Sequence, residues 1–131
     1  MEFAGTAAPR PPTVHETARM SSAPGVGCWS QYRYYKWYDL GINIGDTWMT
    51  AHWCSDGTTI TSHSLSDRGG QGYHGVRYDG LGSSYVRNLG SEVRQAQVFK
   101  FGFLWASATP CMQIRGSRTG VGAFEASCDT S

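Results

Sequence analysis

The residues best suited to acid–base catalysis or metal binding are histidines near the middle of the chain. His52 and His63 lie on either side of an Asp-Gly turn signal, so a hairpin would make them cross-strand neighbours, and Asp56 or Asp67 would supply a carboxylate. Nucleophile-elbow, phosphate-loop and H-E-x-x-H patterns are absent from the sequence. We therefore keep a small His-dependent hydrolase only as an alternative, and we expect no catalytic residue, no metal and no cofactor.

The densest feature of the sequence is an aromatic run in one predicted strand. Its members are Trp29, Tyr32, Tyr34, Tyr35, Trp37 and Tyr38. Side chains alternate between the two faces of a strand, so Tyr32, Tyr34 and Tyr38 fall on the face opposite the other three. Either a second layer covers these tyrosines or they form a binding face, because Tyr and Trp dominate protein interfaces and stack on sugar rings. Tyr32, Tyr34 and Tyr38 are candidate partner-binding residues.

Two arginines flank a glycine-bounded turn near the end of the chain. Arg115 and Arg118 lie in or beside residues 116–120, between two cysteines. Secreted protease inhibitors present an arginine to trypsin-like clefts on such a loop, whereas ordinary solvated loop arginines would look the same. Arg115 and Arg118 are therefore also candidate partner-binding residues, and a protease inhibitor is an alternative function.

The composition changes at residue 27. Residues 1–27 hold four of the five prolines and one aromatic residue, too little apolar surface to fold alone. This predicts an extended or flexible N-terminal tail followed by a β domain over residues 28–131. Arg10, Pro11, Pro12 and Val14 favour an extended conformation that could dock on a partner, and we add them to the candidate binding residues.

Alternating apolar and polar residues, interrupted by Gly and Asp-Gly, predict strands after residue 28. We expect them at residues 28–40, 46–54, 58–64, 73–78, 85–89, 92–105, 111–115 and 121–128. The glycine-rich stretch 68–72 is expected to be a loop. About eight strands predict an all-β fold, an antiparallel β-sandwich or a small barrel.

Cys28, Cys54, Cys111 and Cys128 are widely spaced and contain no C-x-x-C pair. An even number of such cysteines in a short chain predicts two disulfides and a secreted protein. Bridges across the first and last hairpins, or a nested pair joining 28 to 128 and 54 to 111, are both compatible with the spacing.

Charge and hydropathy exclude two classes of partner. The formal net charge is +1 and charged residues make up 16%, so the chain lacks the basic field of a nucleic-acid-binding protein. It also lacks the roughly 20 consecutive apolar residues of a membrane helix, so we expect no membrane insertion. Other secreted proteins are the expected partners, and carbohydrate is an alternative ligand.

Residues 49–62, MTAHWCSDGTTITS, resemble a recurrent strand-turn-strand of small secreted actinobacterial proteins, in which a Trp-Cys-x-(Asp/Asn)-Gly turn follows a Trp/Tyr-rich strand. One such group is the small adaptor subunit of umbrella toxin particles, which joins lectin-bearing, degenerate trypsin-like subunits to a repeat-built stalk. The resemblance implies a non-enzymatic adaptor that uses its tail for one partner and a domain loop for another. It assigns no catalytic residues.

Overall fold

A computed structural model describes residues 2–13, 16 and 25–131. Within them, ten strands form two antiparallel sheets. The strands are β1 (Glu2–Thr6), β2 (Ala8–Pro9), β3 (Val26–Asp39), β4 (Ile42–Asp56), β5 (Ile60–Gly72), β6 (Arg77–Asn88), β7 (Glu92–Phe103), β8 (Ala106–Ala108), β9 (Cys111–Ser117) and β10 (Val121–Glu125). In this part of the chain, no helix has the length and apolar character needed to cross a membrane.

The two sheets have different sizes. Sheet A has the order β1-β10-β9-β7-β6, with β8 paired to β7, and sheet B has the order β2-β3-β4-β5. Apolar side chains of both sheets form one core, so the predicted antiparallel sandwich is confirmed and the barrel alternative is not adopted. The strand count exceeds the expected eight because β1, β2 and β8 are additional, while the single strand β6 replaces the two predicted strands 73–78 and 85–89.

Alternation along the central strands places large side chains between the sheets. On β4, Met49, Ala51 and Trp53 are fully buried at every second position, and they meet Phe99 and Phe124 of sheet A. Burying side chains of this size stabilises a fold by about 1.5 to 3 kcal/mol each. The opposite face of β4 is therefore turned away from the core.

Both disulfides cross a hairpin. Cys28 lies directly opposite Cys54 in the register of β3 and β4, and the two are bonded. Cys111 at the start of β9 is bonded to Cys128, which follows β10. The prediction of two disulfides is confirmed, and the structure selects the cross-hairpin pairing over the nested one.

The glycine-rich stretch 68–72 is not a loop, as the sequence predicted, but the end of β5, paired with β4. A Cβ on Gly69 would lie 2.7 Å from Nε1 of Trp48, and one on Gly70 would lie 2.8 Å from Cδ1 of Tyr78. Real Cβ atoms do not approach this closely, so the glycines make room for aromatic rings that lie on the strand. Glycine signals close packing here rather than a turn.

The N-terminal segment pairs with both sheets. β1 pairs with β10 of sheet A, and β2 pairs with Trp29 and Ser30 of sheet B. The boundary that composition predicts between residues 27 and 28 falls inside β3, which begins at Val26. Val14 and residues 17–24 lie outside the described residues.

Candidate functional site

The outer face of sheet B carries exposed aromatic rings. Tyr32 and Tyr34 are 55% and 47% exposed, and they lie opposite Thr50 and Trp48 of β4. These neighbours alternate with the buried residues of β4, so all four point away from the core. We call Tyr32, Tyr34 and Trp48 the outer aromatic face.

Two of these rings are stacked. The ring centroids of Tyr34 and Trp48 are 5.7 Å apart and their planes differ by 9°. Trp48 lies flat against the backbone of Gly69, where any side chain would collide with the indole. The Gly69 backbone and the stacking of the two rings therefore fix the orientation of this Tyr34–Trp48 pair on the protein surface.

A buried carboxylate anchors the same pair. Asp46 is only 4% exposed, and its side chain accepts hydrogen bonds from the hydroxyl of Tyr34, from the hydroxyl of Tyr73 at 2.7 Å and from Nδ2 of Asn43 at 3.0 Å. Lys36 lies directly opposite Asp46 in the β3–β4 register. Four separate positions thus converge on one carboxylate, which makes Asp46 the centre of a polar cluster beneath the outer aromatic face.

The surroundings of Asp46 favour its charged form. Burial raises the pKa of this carboxyl, but the hydrogen bonds from Tyr34, Tyr73 and Asn43, together with the positive charge of Lys36, more than offset burial and leave the pKa below its ordinary value. The hydrogen bond to Asp46 in turn raises the pKa of Tyr34. Asp46 is therefore an ionised acceptor at neutral pH, and Tyr34 remains its protonated donor.

Tyr38 does not join the outer aromatic face, although the sequence grouped it with Tyr32 and Tyr34. A register shift between Trp37 and Tyr38 ends the regular pairing of β3 and β4. Tyr38 is 60% exposed and lines a different surface, a cleft of about 450 Å³. Its lining is mainly apolar and includes Trp37, Tyr38, Ile44, Val76, Phe101, Phe103, Ala106 and Pro110.

We call this second surface the tip cleft. It lies between the β3–β4 and β7–β8 connections, where Leu40 is 94%, Leu104 is 65% and Trp105 is 92% exposed. Leu40 and Leu104 have φ angles of 48° and 53°, in the left-handed region that residues other than Gly, Asn and Asp seldom adopt. The tip cleft is therefore mainly apolar, and each of the two connections beside it carries an exposed leucine in a strained backbone conformation.

The predicted pairing of His52 with His63 is wrong. In the β4–β5 register, His52 lies opposite Ser64, and His63 lies opposite Trp53 on the core side of the sheet. A shift at Cys54 and Ser55 and a strand that starts only at Ile60 change the register, and a one-residue change moves every side chain to the other face. The two histidines therefore cannot act as one acid–base or metal-binding pair.

His52 is instead held between two serines. Its Nδ1 lies 2.6 Å from Oγ of Ser30 and its Nε2 lies 2.5 Å from Oγ of Ser66. Burial, followed by the positive charge of Arg10, lowers the pKa of His52. The nearby carboxylate of Asp67 contacts Ser66 at 3.5 Å and not the ring. His52 thus crosslinks three strands in its neutral form, and the described residues give it no orienting carboxylate of the kind a catalytic triad uses.

Arg10 of the predicted docking arm is engaged within the molecule. Its guanidinium forms two hydrogen bonds with the carboxylate of Glu16, at 3.1 and 3.0 Å, and Ser62 donates to the same carboxylate at 3.1 Å. The bond to Arg10 is the main reason why the pKa of Glu16 falls to about 2. Pro11 and Pro12 are exposed. This segment therefore covers part of sheet B through Arg10 and Glu16.

Glu16 also lies near the sulfur atoms of Cys28 and Cys54. Those sulfurs are bonded to each other and cannot act as thiolate ligands, so this cluster does not make a metal site.

The two arginines of the last hairpin differ. Arg115 is half-buried, donates to Gln113 at 2.9 Å and forms an ion pair with Glu125 at 2.9 Å. Arg118 is exposed, and its Nη1 donates to the carbonyl of Gly57 at 2.9 Å. The sequence grouped them as one loop, but only Arg118 faces solvent, and its side chain is tied to the β4–β5 connection.

Sequence reasoning missed Asp46, Trp48 and Tyr73. The parity that groups Tyr32 with Tyr34 would have grouped Trp48 with Asp46 on β4, but nothing local connects these residues to Tyr73 beyond β5. Comparison with protein-family models, with curated proteins and with solved structures found no match for this chain. The geometry of the molecule itself carries the functional argument.

Proposed function

We propose that the chain is a secreted binding module without catalytic activity that joins protein partners in an extracellular assembly such as a toxin particle. The outer aromatic face is the recognition surface in this proposal. The two disulfides support an oxidising, extracellular compartment. The resemblance of residues 49–62 to small secreted actinobacterial proteins, one group of which is an adaptor subunit, supports the same role.

One observation carries the proposal: large rings are held rigidly at the surface. Tyr34 and Trp48 are stacked, and Asp46 fixes the Tyr34 hydroxyl, while about half of Tyr32 and of Tyr34 remains exposed. A ring that is already fixed loses little conformational freedom when a partner covers it. Preorganised Tyr and Trp side chains are the commonest energetic anchors of protein interfaces.

Tyr32→Ser tests the proposal directly, because Tyr32 is exposed and lies outside the Asp46 cluster. We expect the thermal midpoint to stay nearly unchanged, since exposed positions usually alter stability by less than about 0.5 kcal/mol. Partner recovery from native secretions should fall by roughly thirtyfold or more if Tyr32 is an interface anchor. Tyr85→Ser, which removes a 48% exposed ring from sheet A, is the matched control and should retain the partner.

Equal recovery of the partner by wild type and by Tyr32→Ser would contradict the assignment of this face. A loss of fold in Tyr32→Ser would instead show that the ring belongs to the core. Tyr34→Phe then provides a second variant, because it retains the ring and removes only the hydroxyl bond to Asp46.

Carbohydrate is a second candidate ligand of the same face, and the flat placement of Trp48 favours it. Its indole lies parallel to Tyr34 over Gly69, and such platforms stack on the apolar face of a sugar ring. Retention on immobilised glycans, lost in Trp48→Ala and kept in Tyr85→Ser, would identify a lectin. Retention of a secreted protein after deglycosylation would identify a protein-binding module.

A further inference from the structure

A second, polar pocket lies on another side of the sandwich, between β5 and the pair β6–β7. It has a volume of about 260 Å³ and is lined by His63, Leu65, Arg68, Ser84, Tyr85, Val86 and Gln95. Drug-sized ligands usually occupy about 300 Å³ or more, so this pocket suits a smaller molecule. None of the described residues that line it is acidic.

The guanidinium of Arg68 is oriented by a buried amide. Its Nη1 donates to Oε1 of Gln97 at 3.0 Å, and Gln97 is only 1% exposed. Gln97 is itself fixed, because its Nε2 lies 3.0 Å from the carbonyl of Gly82 and 2.8 Å from that of Val98. Among the described residues Arg68 has no carboxylate partner, so its remaining N–H groups are available at the pocket.

Gln95 forms the buried wall of the pocket and supplies the opposite chemistry. It is 2% exposed, and its Nε2 donates to the carbonyl of His52 at 3.1 Å, which fixes the amide across the two sheets. With the amide nitrogen used in this way, the amide oxygen accepts no hydrogen bond from any residue that the structure describes. This oxygen can therefore accept a hydrogen bond from a ligand in the pocket.

We propose that this pocket binds a small hydroxylated carboxylate of the sugar-acid type. Its carboxylate would accept from Arg68 and from His63, and one of its hydroxyl groups would donate to the amide oxygen of Gln95. Ser84 adds a hydroxyl group that can donate or accept. The pocket is separate from the outer aromatic face, so the inference does not depend on the proposed adaptor function.

Titration of the intact protein with glucuronate, followed by amide chemical shifts, tests this inference. We expect saturable binding, with the largest shifts at Arg68, Ser84 and Gln95. Glucose has matching hydroxyl groups without the charge, and acetate and inorganic sulfate have the charge without the hydroxyl groups. All three should bind about tenfold more weakly or worse, because each lacks one of the two required contacts.

Arg68→Gln and Gln95→Leu should each weaken glucuronate binding by about tenfold or more. Arg87→Gln removes the same charge from an exposed position on β6 and should leave the affinity unchanged. Should Gln95→Leu fail to fold, His63→Gln replaces it, because His63 is exposed and its replacement leaves the core intact.

Two results would overturn the inference: no saturable glucuronate binding, or equal affinity in wild type and Arg68→Gln. Equal binding of acetate and glucuronate would overturn the hydroxyl contact with Gln95. Methyl glucuronide distinguishes the source of the ligand: binding equal to that of glucuronate indicates the end of a glycan, and weaker binding indicates the free acid. Recovery of the protein partner by the Arg68→Gln variant tests the adaptor proposal separately from glucuronate binding.

Discussion

The outer aromatic face and the tip cleft both expose aromatic rings, but they are built in opposite ways. On the outer aromatic face, the Tyr34 ring is stacked on Trp48 and its hydroxyl bonds a carboxylate that is 4% exposed. On the two connections beside the tip cleft, Leu40 and Trp105 are more than nine-tenths exposed. Leu40 also has a left-handed backbone conformation. One surface is supported from beneath, and the other extends from the ends of two hairpins.

This difference separates two kinds of exposed apolar surface. A supported ring keeps its orientation before a partner arrives, so binding costs little ordering. An unsupported side chain on a hairpin end loses its freedom only when something covers it, and that loss opposes binding. The outer aromatic face is therefore better suited to recognition, and its support should be measurable as stability that the exposed side chains beside the tip cleft do not provide.

Asp46→Ala should have the largest effect. It removes the acceptor of two tyrosine hydroxyls and of Asn43, and it leaves a cavity under the outer aromatic face. We expect the free energy of unfolding to fall by roughly 2 to 3 kcal/mol, measured by urea denaturation. Asp79→Asn, at an ion pair whose two side chains are 58% and 41% exposed, is the control and should change stability by less than about 0.5 kcal/mol.

Lowering the pH should have the second largest effect on the stability that the outer aromatic face contributes. The pKa of Asp46 in the folded protein lies below its ordinary value of 3.8, since the hydrogen bonds it accepts and Lys36 outweigh burial. Its ionised form therefore contributes stability that is complete above pH 4 or so and is lost as the pH falls through the folded-state pKa. Asp46→Asn should lack this part of the acid dependence. The two unfolding curves should converge below that pH, and a constant gap between them would contradict the prediction.

Glu16 contributes an acid dependence of its own in both proteins, because the Arg10 bond lowers its pKa from 4.5 to about 2. Its contribution is present above pH 4.5 and is lost toward pH 2. Only the difference between wild type and Asp46→Asn reports on the outer aromatic face. Adding Glu16→Gln to the wild type and to Asp46→Asn removes the acid dependence that the two proteins share.

The sequence predicted what depends on local alternation and missed what depends on register. Period two along β3 placed Tyr32 and Tyr34 on one face but left open whether that face is covered, and the structure leaves both rings about half exposed. The pairing of His52 with His63 failed because the β4–β5 connection is longer than a two-residue turn, which changes the face of every residue on β5. The Asp46 cluster joins positions on three segments, and no pattern within one strand contains that information.

Glycine was the other source of error. Residues 68–72 have the composition of a loop, yet Gly69 and Gly70 continue β5 beneath two aromatic rings. A glycine that permits a turn and a glycine that permits close packing look the same in a sequence. Only the position of Trp48 opposite Gly69 distinguishes the two cases.

Gly69→Ala should disturb the outer aromatic face more mildly than Asp46→Ala. The new methyl group would lie 2.7 Å from the Trp48 indole, so the ring must move. Trp48 is only half-buried and has room to do so, and we expect a cost near the lower end of overpacking, about 1 kcal/mol. The near-ultraviolet circular dichroism of the Tyr34–Trp48 pair should decrease. An unchanged spectrum would show that Gly69 does not support the stack.

Leu104→Asn should have the smallest effect and the opposite sign. Leu104 is 65% exposed and has a φ of 53°, a conformation that costs most side chains roughly 1 to 2 kcal/mol and costs Asn less. The substitution removes little buried apolar surface, so the free energy of unfolding should rise by about 0.5 kcal/mol. Trp105→Ser, at a neighbouring exposed position without this strain, should leave it unchanged. If Leu104→Asn destabilises the protein by as much as Gly69→Ala, then the connection beside the tip cleft packs as firmly as the outer aromatic face, and the contrast between the two regions is lost.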